Sequence, residues 1–214
     1  MTSHAPTRPT LRPPPERRFV LGVTGASGAA YALRLLEELL RRGCEVHLVV
    51  TDYGRRLLFD EAAIRDLTAE ALAPAVADRS RLIIHPNKDV GAVIASGSFL
   101  HGGMVVLPCS STSLGALATG SGSNLLTRAA MVTLKERRPL IVCHRETPLN
   151  LIDIENMRTL TLAGAIVCPT NPGLYLLPKT VGEIVDFMVG KVLDLLKVEH
   201  DLKTRWEHHP GGPA

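Results

Sequence analysis

The sequence predicts an α/β domain with a doubly wound, mostly parallel sheet, and three observations carry that expectation. Six short apolar runs punctuate the chain at 19–23 (FVLGV), 45–50 (EVHLVV), 82–85 (LIIH), 104–108 (MVVLP), 140–144 (LIVCH) and 165–169 (AIVCP). Helix-like stretches lie between them, and strands that are apolar on both faces need helices on both faces of their sheet. The length of 214 residues with 45% apolar content suffices for one domain with a sizeable core.

Taken in order, residues 1–18 are rich in Pro, Arg and Thr and read as a disordered tail. Five prolines there forbid the amphipathic helix of an organelle-targeting segment. Residues 19–198 form the expected domain, and 199–214 a second tail anchored at most by Trp206. Helices are expected at 29–42, with Leu33, Leu36, Leu39 and Leu40 on one face, and at 53–59, 112–118, 125–136, 148–162 and 181–196. The Ala-rich stretch 67–79 contains one proline and receives no element.

Composition excludes several classes. Lys plus Arg number 24 against 21 acidic residues, and much of the excess sits at Arg8, Arg12, Arg17 and Arg18, so the domain is near neutral. That speaks against a nucleic-acid groove or a membrane surface. Four cysteines without a C-x-x-C pair offer neither a zinc site nor a disulfide scaffold, and the expected setting is the reducing cytoplasm. No run is apolar enough to span a membrane.

Ligands of open parallel sheets bind beyond the carboxyl ends of the strands. Those ends carry Thr24-Gly25-Ala26-Ser27-Gly28, Thr51, Cys109 followed by Ser110, Ser111, Thr112 and Ser113, and Arg145-Glu146. Helix-opening glycines, hydroxyls and an arginine suit a phosphate monoester; ordinary turns and caps use the same residues. The glycine spacing is G-x-x-G-x-x-G, and strand two ends in Thr51 rather than the carboxylate that grips a dinucleotide ribose, so FMN fits better than NAD. Tyr175-x-x-x-Lys179 imitates a dehydrogenase pair, but Pro172 and Pro178 deny it a helix face. Arg128 and Lys135 share a helix face and are placed to meet one anion, whereas Arg137 and Arg138 read as a solvated last turn. Glu146 directly follows an apolar strand and an arginine, which fits either a proton donor or acceptor or a simple ion pair.

Several of these segments together resemble the UbiX-type flavin prenyltransferases, formerly called phenylacrylic acid or hydroxybenzoate decarboxylase subunits. They are Thr24 to Gly28, Ala95-Ser96-Gly97-Ser98, Leu107-Pro108-Cys109-Ser110, Asn124 to Ala130, Leu134 to Leu140, Arg145-Glu146-Thr147-Pro148 and Pro172-Gly173-Leu174-Tyr175. The resemblance implies a flavodoxin-like Rossmann domain, usually a dodecamer, that needs no metal. It joins the dimethylallyl group of dimethylallyl phosphate to N5 and C6 of reduced FMN, and the product, prenylated FMN, serves a UbiD-type decarboxylase. The sequence leaves dimethylallyl pyrophosphate open as the donor.

Carried over, Gly25, Ala26, Ser27, Thr51, Ser110, Ser111, Thr112, Ser113 and Arg145 correspond to the FMN contacts. Tyr175 and Lys191, with Arg128 and Lys135, correspond to the donor-phosphate group, completed across a subunit interface. Ser27, Glu61 and Glu146 correspond to the polar catalytic group. Two departures stand out: Val90 where some members carry an aromatic, and Lys191 where others carry arginine, a point charge in place of a fork. The competing readings are an FMN-dependent cysteine decarboxylase, disfavoured because helix 29–42 lacks a histidine, and a non-catalytic flavin-carrying subunit.

Overall fold

The computed structural model describes residues 12–206. Six parallel strands, β1 (Arg18–Val23), β2 (Glu45–Val50), β3 (Leu82–Pro86), β4 (Gly103–Cys109), β5 (Leu140–His144) and β6 (Ile166–Val167), form one sheet in the order β3-β2-β1-β4-β5-β6. The helices are α1 (Ala29–Arg41), α2 (Asp52–Ala62), a one-turn α3 (Ala69–Leu72), α4 (Ser111–Ala118), α5 (Leu125–Lys135), α6 (Leu151–Leu162) and α7 (Val181–Leu195). The doubly wound expectation holds, and the switch in strand order falls between β1 and β4, where such sheets open a ligand crevice.

Period-2 alternation assigns each strand residue to a face. Leu21, Val23, Leu48, Val50, Val105, Ile141 and Cys143 pack with α1, α2 and α7. Val20, Val49, Met104, Val106 and Val142 pack with α4, α5 and Leu160 of α6. On α1, Leu36, Leu39 and Leu40 are buried as the spacing predicts, while Leu33 is only half-buried. Side-chain caps set the helix starts: Asn124, Asn150 and Thr180 each close a reciprocal capping box. Asn150 is why α6 begins at Leu151, leaving Pro148 outside the expected helix.

Three local expectations need correction. Of the first tail, 12–18 is ordered: Arg12 forks onto the buried Glu45 at 2.8–3.1 Å, and Arg18 opens β1; residues 1–11 lie outside the described residues. Of the second, 199–206 folds back onto α7, with Thr204 buried and His200 and Arg205 on Asp194; 207–214 again lie outside. Arg138 is not a solvated residue, because its guanidinium donates to the carbonyls of Gly97 and Phe99 at 2.6 and 2.7 Å.

Candidate functional site

Thr24 holds the crevice together. Fully buried at the end of β1, its hydroxyl donates to the Pro108 carbonyl at 2.8 Å and accepts from the Ser110 amide at 2.8 Å. The loops after β1 and β4 are thereby fixed edge to edge. Gly25 lets the first loop pass against α2: a Cβ there would lie 2.4 Å from Cβ of Tyr53. Ser110 caps α4 by accepting from the Ser113 amide and donating to its hydroxyl. Two polar atoms beside this first turn, Ser111 Oγ and His144 Nε2, are buried without a partner. Nδ1 of His144 lies 2.9 Å from the Cys109 carbonyl, which makes Nδ1 a donor.

Glu61, in the last turn of α2, reaches the opposite wall. Its carboxylate accepts from the amides of Gly28 and Ala29 at 3.0 and 2.9 Å, occupying the positive end of α1, with the Ser27 side chain acting on it alongside. Partial burial pushes its pKa up, but Ser27, the two amides and nearby Arg145 outweigh that and hold the carboxyl below its ordinary range. Arg145 donates from Nε to the Ser27 carbonyl at 3.0 Å, which gathers Ser27, Glu61 and Arg145 into one cluster. Because Glu61 has taken the α1 amides, an incoming anion finds its helix end at α4, with Arg145 and the hydroxyls of Ser111, Thr112 and Ser113 close by. Thr51 accepts from the Gly54 amide as the cap of α2 and keeps its own proton to donate.

Glu146 does not join that cluster: it is exposed and its carboxylate turns back onto the Thr147 amide at 3.0 Å. The four expected donor-phosphate residues divide. Tyr175 and Lys191 line one hollow of about 470 Å³ beside α7, with Cys168 and Trp206. The Tyr175 ring packs on Phe187 and Trp206 and its hydroxyl donates to the Thr204 carbonyl at 3.4 Å. Close packing by Gly190 seats that segment, since a Cβ there would meet Thr204 at 2.3 Å.

Arg128 and Lys135 stand on α5, across the sheet from α7. The α5 amides of Leu125 and Leu126 bond to Asn87 beyond the carboxyl end of β3, whereas its far end reaches Gly97 and Pro139 beside the start of β4. Lys135 therefore lies at the amino edge of the sheet, paired with Glu136. Within one chain the two pairs do not meet. Trp206 and Cys168 were not singled out as site residues from sequence; only the fold-back of 199–206 and the pairing of β5 with β6 reveal them.

These features define a mononucleotide-binding member of the doubly wound class, and the flavoprotein family matches residues 7–193. A flavin prenyltransferase from Halalkalibacterium halodurans is 44% identical over 192 residues, covering 88% of this chain and 92% of its own. Among solved structures, a UbiX protein in complex with FMN and dimethylallyl pyrophosphate superposes with a TM-score of 0.79 at 36% identity, over 86% of this chain and 93% of that one. A dodecameric FMN-dependent UbiX-like protein from Escherichia coli gives 0.78 at 35% identity, over 88% and 98%. The chain belongs to the UbiX-type flavin prenyltransferases.

Proposed function

We propose that the protein transfers the dimethylallyl group of dimethylallyl phosphate to reduced FMN, releasing prenylated FMN and phosphate. The observation that carries this reading is the cluster at the β1–β4 switch point, where an ionised carboxylate, a hydroxyl and a guanidinium gather beside the first turn of α4. The residues fit an FMN substrate: its phosphate would be held at the α4 turn by Ser110, Ser111, Thr112 and Ser113, with Gly25, Ala26, Thr51 and Arg145 lining the rest. Reduced flavin supplies the electron-rich N5 and C6. Glu61, kept ionised, accepts a proton through the Ser27 hydroxyl, and Glu146 serves the same chemistry from the rim.

The departing phosphate gathers negative charge, which Lys191, the Tyr175 hydroxyl, Arg128 and Lys135 would stabilise. Their division between two faces of the sheet supports a donor site assembled from more than one chain, in keeping with the dodecameric relative. The pyrophosphate in another relative's complex makes that ester a second donor to assay. Among the described residues no helix is long and apolar enough to cross a membrane, and we place the enzyme in the cytoplasm, delivering its product to a UbiD-type decarboxylase. Anaerobic incubation with reduced FMN and dimethylallyl phosphate tests the reading: the released flavin is expected to be heavier by one prenyl unit, and unchanged FMN overturns it.

A further inference from the structure

The hollow beside α7 contains a group that prenyl transfer does not use. Cys143 is the penultimate residue of β5, and Cys168 directly follows β6. The parallel register pairs Val142 with Val167, and the Cys168 amide bonds to the Val142 carbonyl at 2.9 Å, so the ladder continues and sets the two cysteines opposite each other. Both side chains lie on the α7 face. Neighbouring strands run about 4.8 Å apart, inside the Cα separation of about 4.4–6.8 Å that a disulfide accepts.

The two thiols differ in access. Cys168 is partly exposed and lines the hollow with Lys191, while Cys143 is fully enclosed. We propose that Cys168 and Cys143 are an oxidisable pair, Cys168 the sulfur that meets a hydroperoxide and Cys143 the one that resolves it into a β5–β6 disulfide. In the first step, with hydrogen peroxide, the Cys168 thiolate attacks one peroxide oxygen, the O–O bond breaks, and the hydroxide released takes up the proton that the thiol gave up on ionising, leaving sulfenic acid and water. In the second, the Cys143 sulfur attacks that of Cys168, the S–O bond breaks, and the Cys143 proton leaves with the hydroxide as a second water. The peroxide takes both electrons.

The electrostatics run the same way. The neighbouring Cys143 thiol, opposed by burial and helped by Lys191, brings the Cys168 thiol down to about 7, whereas its partner and burial push Cys143 well up. Burial raises the other two thiols, Cys44 and Cys109, leaving Cys168 as the thiolate. Exposed disulfides are the reducible, reversible ones, and Cys168 borders the hollow.

The chemistry is independent of the prenyl-transfer reading and is measured without activity. Reduced full-length protein is treated with hydrogen peroxide, its remaining thiols are alkylated, and it is digested with trypsin without reductant. The expected product links the peptide 138–145 to 159–179, loses two hydrogens in mass and is reversed by dithiothreitol. In Cys143→Ala, dimedone is expected to trap sulfenic acid at Cys168; in Cys168→Ala, oxidation at Cys143 is expected to slow about tenfold or more. Absence of the linked peptide from the oxidised wild-type protein overturns the proposal, as does oxidation of Cys44 or Cys109 ahead of Cys168.

Discussion

The proposed flavin crevice and the proposed donor-phosphate group are built on different plans. In the crevice, Thr24, Ser27, Glu61, Ser110 and Arg145 come from four separate segments yet close their hydrogen bonds within one chain. The donor group is split, with Tyr175 and Lys191 against α7 and Arg128 and Lys135 on α5 across the sheet. A parallel sheet collects its strand ends at one edge, so a site made of strand-end loops is complete as soon as the chain folds. Residues on helix surfaces of opposite faces cannot converge through the sheet, and only another copy can bring them together.

The largest effect should come from Glu61→Gln. The amide still accepts from Gly28 and Ala29, so FMN binding is expected to persist while prenyl transfer falls by about 10²-fold or more; equal loss of both would mean that Glu61 is only a cap. If Lys191 holds the donor phosphate as proposed, Lys191→Ala removes a charge-assisted contact worth about 1.5–3 kcal/mol, so the donor KM should rise about tenfold or more with FMN affinity unchanged. A weakened FMN titration would merge the two regions that the structure separates. Thr24→Val strands the Ser110 amide in the interior, at a cost of about 1–3 kcal/mol in chemical denaturation, and should loosen FMN without touching the donor.

The smallest effect lies away from both sites. His101 is buried against Arg138, and burial with that charge lowers its pKa to about 4. The fold holds the neutral ring, so its contribution is complete above pH 6.5 and is lost as pH falls towards 4, amounting to about 3 kcal/mol. Burial lowers His47 and His85 too. Unfolding titrations of His101→Phe should show a shallower acid limb; an unchanged one removes His101 from that account.

The same division explains what could be read in the sequence. The apolar runs at 45–50 and 140–144 match β2 and β5 residue for residue, because fully buried strands leave no polar alternation to blur their ends. The strand-end motifs around Ser27, Ser110 and Arg145 were legible for the same reason. Glu61 was reachable only through family resemblance: it sits on an ordinary exposed helix turn, and its meaning comes from the α1 amides 32 and 33 residues away. The ordered segments 12–18 and 199–206 were hidden by their proline-rich and polar composition; their anchors, Glu45 and Gly190, lie far off in sequence.

The most direct test of the divided donor site is complementation. Arg128→Ala and Lys191→Ala chains are co-expressed so that they assemble together, and prenylated FMN is measured against each variant alone. Mixed assemblies should recover about a quarter of wild-type activity, the fraction of sites that draw Lys191 from one chain and Arg128 from the other. Activity no higher than the two variants measured separately would contradict a site shared between chains.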